Sequence, residues 1–222
     1  MIEIKKQTYS EQVADHIRQG ILNGEYRPGD QIKEVVLAAR LSISRAPIRE
    51  ALQILSQEGL IVSEPQKGKH VTALTAKEIK DSYFTGGVLE AAAVARALPD
   101  YAPEDIRKLE EIVDAMKHVA DQGLPVERVA ELDNRFHRVL FSRVDNELLV
   151  ELCRRSCQGI SKFLLFRHWI KLFPVHEIHM RHQAILDAVR SGEPLQLEAC
   201  IRKHYIDAGE KMAYFGVDVY QP

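Results

Sequence analysis

The hydrophobic pattern of this chain changes from helical to alternating and back to helical within its first third, and this change constrains the fold more than any other feature. Three short helical patterns come first. The segment LIVSEPQKGKHVTAL then places two short β-branched runs around a polar tip, which predicts a β-hairpin. From Thr75 onward the pattern is helical almost to the C-terminus. We therefore expect a mainly α protein, with an N-terminal winged helix-turn-helix and a C-terminal all-α antiparallel helical bundle.

Local signals mark the ends of the first helices. A Thr8-x-x-Glu11 capping box opens the first helix, which ends at Gly24. A second short helix follows in KEVVLAARL. Ser44 is the expected N-cap of the third helix, RAPIREALQILSQEG, and Gly59 is its expected stop. Helices of this length and order predict a helix-turn-helix core, with the hairpin as its wing.

A second capping box, Thr75-x-x-Glu78, places the domain boundary near residues 72 to 77. We expect a DNA-binding domain over residues 1–74 and an all-helical domain over residues 75–222. Prolines and glycines divide the second domain into short-linked helices, which favours antiparallel neighbours. The expected helices are 76–98, 103–122, 125–144, 146–172, 175–191 and 194–215.

Composition limits the classes of protein that remain. The 222 residues fit one or two domains, and a net charge of -2 requires any nucleic-acid surface to be a local basic patch. No stretch approaches the ~18 apolar residues that span a bilayer, so we expect a cytoplasmic protein. Three cysteines, Cys153, Cys157 and Cys200, agree with a reducing compartment. Cys153 and Cys157 share a helix face, where they could bind metal or simply pack in the core.

The third helix carries the expected DNA-reading residues at its N-terminus. Arg45 and Arg49 lie one turn apart, where arginine can bind guanine or a phosphate, although two such arginines can also form an ordinary solvated face. Basic residues on the preceding helix and at the hairpin tip favour the DNA interpretation. The full expected DNA-binding set is Lys33, Arg40, Ser44, Arg45, Ala46, Arg49, Lys67, Gly68 and Lys69.

Asp133 and His137 are four residues apart on one helix, so both side chains can reach one ion. Alone, this pair is also typical of a surface ion pair. His182 and His204 lie among apolar residues of two later helices, where an unpaired ring nitrogen is unfavourable unless it is bonded or ligated. We therefore expect a buried site of one aspartate and three histidines for zinc, with nickel, manganese or iron as alternatives.

Two other histidines are candidates for the same site. His176 and His179 compete with His182 because the three recur every three residues, and His182 has the better apolar surroundings. No role is assigned to the remaining ones, which are His16, His70, His118 and His168.

Residues 9 to 74, with ILNGEYRPGDQI, LAARLSISRAPIREALQILSQEGLI and QKGKHV, closely resemble the winged-helix domain of the GntR family of bacterial regulators. The resemblance implies a homodimer that reads a pseudo-palindromic operator in double-stranded DNA. Residues 78 to 213 resemble the FCD domain, the helical sensor of the FadR subfamily. That resemblance implies a metal held by Asp133, His137, His182 and His204, and a small carboxylate effector bound at the metal.

One departure concerns the ligand. Related sensors often carry an arginine four residues before the glutamate of their first helix, and this chain has Gly86 before Glu90. Arg167 could replace such an arginine as an effector-binding residue. Gly86 and Gly87 could serve close packing or bending of their helix.

The predicted function is therefore a DNA-binding transcription regulator whose operator affinity responds to a small effector, and not an enzyme. Two alternatives stay open: a metal-dependent enzyme that activates water, and a regulator with a purely structural metal. The enzyme is disfavoured because the sequence lacks a placed general base or nucleophile motif.

Overall fold

A computed structural model describes residues 7–156 and 162–219 of the chain. Its N-terminal part contains three helices and an antiparallel hairpin, as expected. These elements are α1 (Tyr9–Asn23), α2 (Glu34–Leu41), α3 (Arg45–Gln57), β1 (Ile61–Glu64) and β2 (Gly68–Val71). The expected mainly α fold class with a small β-hairpin wing is thereby confirmed.

The caps of this part follow the sequence signals closely. Thr8 and Glu11 form both bonds of a capping box on α1, and Gly24 closes that helix in the left-handed conformation, with φ 77°. Ser44 has the extended backbone of an N-cap on α3, but its side chain makes no cap hydrogen bond. The expected N-cap position is therefore correct.

The wing is held in register by both of its strands and by the chain before α2. Ile61 pairs with Val71 and Glu64 with Gly68, so the hairpin turn falls at the polar tip. The backbone of Ile32 donates to the carbonyl of Lys69 at 2.8 Å, which ties the wing to the helix-turn-helix. Behind these elements lies one apolar core. Its fully buried members include Ile17, Ile48, Leu52, Leu55 and Val71.

The C-terminal part is a helical bundle. Its helices are α4 (Ala76–Ala97), α5 (Pro103–Asp121), α6 (Val126–Leu140), α7 (Glu147–Cys153), α8 (Lys162–Leu164), α9 (Phe166–Leu172), α10 (Val175–Ser191) and α11 (Pro194–Met212). In the described ranges no helix is both long and apolar enough to cross a membrane.

Three of the expected helices differ from the structure. The expected helix 146–172 is wrong as one α-helix, because a turn at Leu165 separates α8 from α9. After Cys153 the chain continues as a π-helical turn over residues 154–156, and residues 157–161 lie outside the described residues. Leu165 separates α8 from α9 with φ -104° and ψ 15°, and this turn keeps both Leu164 and Leu165 in the core. Packing thus outweighs helix propensity here. The expected helices 125–144 and 194–215 each end in a single 3-10 turn.

The most extensive helix contact in the bundle joins α4 to α11, and glycines make it possible. A Cβ on Gly87 of α4 would lie 2.6 Å from Cβ of Tyr205 on α11. In the reverse sense, a Cβ on Gly209 would lie 2.7 Å from Cβ of Tyr83. Each tyrosine therefore packs over a glycine of the opposite helix, so Gly87 serves close packing and not bending.

The two parts touch through α8 and α9, which pack against α1. Arg167 of α9 lies directly over Gly24, the C-cap of α1; a Cβ on Gly24 would stand 1.7 Å from a terminal nitrogen of the guanidinium. The cation thus sits at the end of α1 that carries the negative pole of the helix dipole.

Candidate metal centre and nucleic-acid interface

The expected DNA-reading residues form an exposed surface on the N-terminal part. Arg45 and Arg49 project from the first turn and a half of α3, and their side chains are 52% and 60% exposed. The other expected residues are also exposed, except that Lys69 is half-buried. The structure therefore brings helix and wing residues to the surface, as a reader of a duplex requires.

Acidic side chains of the same domain contact several of these basic residues. Arg45 and Arg49 both reach Oε2 of Glu34 on α2, at 3.0 Å and 3.1 Å. The bond from Arg45, against a smaller effect of burial, holds the pKa of Glu34 below its ordinary value, and Arg49 adds to it. In the same way Arg40 pairs with Glu25. One internal carboxylate, that of Glu34, thus holds both arginines in the free protein.

The four expected metal-ligand residues come together inside the bundle. His137 of α6, His182 of α10 and His204 of α11 place ring nitrogens within 4.8 Å of one another. Oδ1 of Asp133 lies 3.1 Å from Nε2 of His182 and 3.9 Å from Nε2 of His137. Asp133, His137 and His182 are buried, and His204 is half-buried. His176 is exposed and His179 is buried, and neither belongs to this cluster.

Second contacts fix the orientation of two of the rings. Nδ1 of His137 lies 2.6 Å from Oε1 of Glu90 on α4, and the hydroxyl of Tyr205 donates to Oε2 of the same glutamate at 2.7 Å. Nδ1 of His182 lies 2.7 Å from the carbonyl of Ile178. In both histidines Nε2 is therefore left to face the cluster, which is the usual arrangement of metal-bound histidine.

Two ring nitrogens of the cluster lack hydrogen bonds. Nε2 of His182 is close to Asp133 but not in line for a bond, and Nδ1 of His204 has no partner in the described part of the chain. An unsatisfied buried nitrogen costs about 1–3 kcal/mol. A bound cation would satisfy both atoms, so the donor set fits a metal ion.

The electrostatics of the cluster are set by a few buried charges. Burial opposes ionisation of Asp133, yet Lys162 and the nearby histidines hold its pKa well below the ordinary value. Burial, reinforced by His182, keeps the pKa of His204 well below the ordinary value, so its ring stays neutral. For His137, burial alone would lower the pKa, but Glu90 and Asp133 raise it. The cluster thus presents a carboxylate and at least one neutral imidazole, both suited to metal binding.

Three side chains at this site are not predicted as site residues from the sequence. Glu90 stands alone among the alanines of LEAAAVARA, and a lone carboxylate on a buried helix face is a signal that could have identified it. Lys162 pairs with Asp133. Arg181 is on α10 and donates to the carbonyl of His204. Lys162 and Arg181 belong to no sequence motif, because only the packing of the helices brings them to the cluster.

Arg167 and Cys153 do not belong to the histidine cluster. The structure places Arg167 against Gly24 of the DNA-reading part, and its expected role in effector binding stays a prediction. Cys153 is buried and lines a cavity with Glu90 and His137. Burial raises the pKa of its thiol to about 12, so the free thiol stays protonated at neutral pH. Cys157, its proposed companion, lies outside the described residues.

Comparison with known proteins finds a family match for each of the two parts of the chain. Residues 9–71 match the family described as bacterial regulatory proteins, gntR family, and residues 81–207 match the FCD domain. The HTH-type transcriptional regulator YdhC of Bacillus subtilis (strain 168) is 30% identical over 148 residues, which are 67% of this chain and 66% of that protein. The Nta operon transcriptional regulator of Aminobacter aminovorans is 29% identical over 179 residues, 81% of this chain and 82% of that protein.

A solved structure described as a GntR transcriptional regulator from Rhodococcus sp. RHA1 has a TM-score of 0.70 and 25% identity, and the match covers 97% of this chain and 100% of that one. These families and relatives are regulators of transcription and not enzymes. The resemblance noted in the sequence is thereby confirmed. The chain belongs to the GntR family of bacterial regulators, with an FCD domain, and is a DNA-binding transcriptional regulator.

Proposed function

We propose that this regulator holds a divalent transition metal in its FCD domain, and that a small carboxylate ligand bound there changes its affinity for operator DNA. The observation that supports this most strongly is the convergence of ring nitrogens from His137, His182 and His204, on three different helices, beside the carboxylate of Asp133. Three imidazoles and one carboxylate are ligands that zinc accepts, as do nickel, manganese and iron. A metal that takes five or six ligands would also offer open positions to a ligand oxygen.

The N-terminal part supplies the DNA interface in this proposal. Arg45 and Arg49 of α3 face base edges or phosphates in the major groove, and Gly68 at the wing tip lets the backbone approach the duplex. The exposure of these residues, and the pairing of both arginines with one exchangeable carboxylate, support the assignment. The remaining interface residues are Lys33, Arg40, Ser44, Ala46, Lys67 and Lys69.

We further propose that the protein acts in the cytoplasm as a homodimer of the FadR type on a pseudo-palindromic operator, with a domain boundary near residues 72 to 77. The boundary agrees with the capping box at the start of α4, where Thr75 accepts from the backbone of Glu78. Two copies would present two α3 helices to successive half-sites.

The segment formed by α8 and α9 offers a route between the two functions. At one end Lys162 pairs with Asp133 of the cluster, and Trp169 lines the adjacent cavities. Within the same segment, Arg167 lies over the C-terminal end of α1. A change at the cluster that moves this segment would therefore also move the DNA-reading part. Coupling free energies between two binding sites are typically about 1–3 kcal/mol, which is roughly 5- to 150-fold in affinity.

The test compares the native protein with an Asp133→Ala/His182→Ala double variant and with a His176→Ala control. Metal content is measured by elemental analysis, and binding to the DNA upstream of the gene is measured by titration. We expect about one metal per chain in the native protein and in the control, loss of metal in the double variant, and DNA binding in all three. A native protein without metal that still binds DNA would refute the metal site.

A purely structural metal is separated by a second measurement. If no carboxylate changes the operator affinity of the metal-loaded native protein, the metal serves the fold alone. In that case thermal unfolding would still show stabilisation by metal, because an ion that binds only the folded state raises its stability.

A further inference from the structure

Lys162 places a part-buried ammonium group beside the histidine cluster. It is the first residue of α8, and its side chain is only 12% exposed. Its Nζ pairs with Oδ2 of Asp133 and lies 4.9 Å from the centre of the Trp169 ring, so it is held on two sides. A lysine that is directed inward in this way needs an anionic partner, because burial of an unpaired ammonium is costly.

The balance of charge around Lys162 changes when a metal binds. Without a metal, Asp133 offsets Lys162, Glu90 faces His137, and Arg181 pairs with Glu177 at 3.7 Å. A divalent cation at the histidines adds two positive charges and draws on the carboxylate of Asp133, the partner of Lys162. The positive charges then exceed the negative ones in a largely buried volume. Such a site recruits an anion.

The space next to Lys162 suits the head group of a small anion. A cavity of about 30 Å³ is lined by Lys162, His137, His204 and Trp169 among others. A second cavity of about 20 Å³ shares Asp133, Trp169 and His204 with it and reaches Arg181. Each has room for about one or two water-sized groups. A planar carboxylate fits better than a bulkier tetrahedral oxyanion, and Asp133 already shows a carboxylate bound to this ammonium.

We propose that Lys162 is the anchor for the carboxylate of the ligand, binding it from the cavity that the histidines line. This inference rests on the proposed function above. It also accounts for the missing cation at Gly86 on α4, because the charge comes instead from Lys162 on α8. The ligand class is therefore a small monocarboxylate or the carboxylate end of a larger acid.

The test uses the full-length protein loaded with Co²⁺, whose visible absorption reports ligands that enter the metal shell. Acetate is the anionic probe, and imidazole is the neutral one. Lys162→Met removes the charge, Lys162→Arg restores it, and Lys171→Met on α9 is the control, since Lys171 is an exposed lysine nearby. Lys162→Gln replaces the methionine variant if the latter does not fold.

We expect Lys162→Met to bind acetate roughly 10- to 100-fold more weakly than the native protein, as for loss of a charge-assisted hydrogen bond. Its affinities for Co²⁺ and imidazole should not fall, and Lys162→Arg should recover most of the acetate binding. Equal acetate affinity in native and Lys162→Met proteins would overturn the anchor while leaving the proposed function intact. Phosphate binding tighter than acetate, with the same dependence on Lys162, would overturn the carboxylate class.

The same titrations separate this inference from the proposed function. If the native cobalt protein binds acetate, but no carboxylate alters its operator affinity, ligand control of DNA binding fails and the anchor stands. If the native protein takes up no Co²⁺, both fail together.

Discussion

Glu90 of α4 fixes the ring of His137 on α6, with 2.6 Å between Oε1 of the glutamate and Nδ1 of the histidine. The second oxygen of Glu90 accepts from Tyr205 at 2.7 Å, so the carboxylate is itself held in place by α11. Three helices are therefore joined at one buried carboxylate. A partner of this kind sets which ring nitrogen faces a metal and makes that nitrogen more basic.

Glu90→Gln should lower metal affinity roughly 10- to 100-fold although every ligand atom remains. The amide keeps the size of the side chain but removes the negative charge that supports His137. Competition with a chelator of known affinity measures the change. Glu131→Gln, an exposed change on α6, should leave metal affinity at the native value, and a loss of equal size in both variants would contradict the role of Glu90.

Gly87→Ala should destabilise the FCD domain by about 1–3 kcal/mol, because the added methyl would stand 2.6 Å from Cβ of Tyr205. In an open helix the same change stabilises by up to ~1 kcal/mol, so the sign alone identifies the packing contact. Urea unfolding measures the effect. Gly209→Ala, against Tyr83, should behave alike; stabilisation by either change would disprove the close contact.

For DNA binding, Arg45→Ala and Arg49→Ala should each weaken operator affinity by about 1–3 kcal/mol, with Lys203→Ala on α11 as an exposed control. Glu34→Gln removes the internal carboxylate that holds both arginines, so it should keep or raise affinity at low salt. Fluorescence anisotropy with a labelled operator gives each constant. If Glu34→Gln loses as much affinity as Arg49→Ala, then Glu34 positions the arginines and does not compete with DNA.

Much of the fold could be predicted because its signals are local. The capping boxes at Thr8 and Thr75, the left-handed Gly24 and the polar hairpin tip each act on a few neighbouring residues, and the structure has all of them. The long helix over 146–172 could not be predicted correctly, because Leu164 and Leu165 at its break belong to a core that residues far along the chain complete, and no local signal marks the turn.

The candidate site shows the same division. Histidines on apolar helix faces led from the sequence to His182 and His204, since burial of a polar ring leaves a pattern along one helix. Lys162 and Arg167 lie five residues apart in a short segment, but Lys162 contacts Asp133 of the cluster and Arg167 contacts the end of α1. Sequence spacing cannot distinguish them, because only the path of α8 and α9 through the bundle decides which cation reaches which domain.

Acid should weaken one contact outside the metal site. The hydrogen bond from Arg143, against the effect of burial and with help from the backbone of Ala102, holds the pKa of Asp105 below its ordinary value. Because the pKa of Asp105 is lower in the folded than in the unfolded protein, its carboxylate stabilises the fold at pH values above the unfolded-state pKa. This stabilisation is lost as the pH falls through the folded-state pKa. At neutral pH, Asp105→Asn should cost about 1 kcal/mol, because the amide oxygen can still accept from the backbone of Ala102 but lacks the charge that strengthens this bond; the exposed partner Arg143 adds little.

Urea unfolding of native and Asp105→Asn proteins across a pH series checks the sign. The difference in the free energy of unfolding should be constant near neutral pH and shrink below about pH 4. A difference that grows toward acid would mean that the folded-state pKa of Asp105 is raised. Glu111→Gln, an exposed change on the same helix, should show no such trend.

Arg167 should matter for communication and not for metal or ligand binding. Its guanidinium lies over Gly24 at the end of α1, while Lys162 in the same segment reaches the cluster. Arg167→Ala should therefore keep native metal content yet reduce, several-fold, the ratio between the operator affinities of the metal-loaded and metal-free proteins, within the roughly 5- to 150-fold range of such couplings. Operator titration with and without a chelator measures that ratio, and Arg202→Ala on α11 is the exposed control. A native ratio in Arg167→Ala would show that the signal crosses elsewhere, whereas loss of metal would show that α9 is needed to build the site, because Trp169 of the same helix lines it.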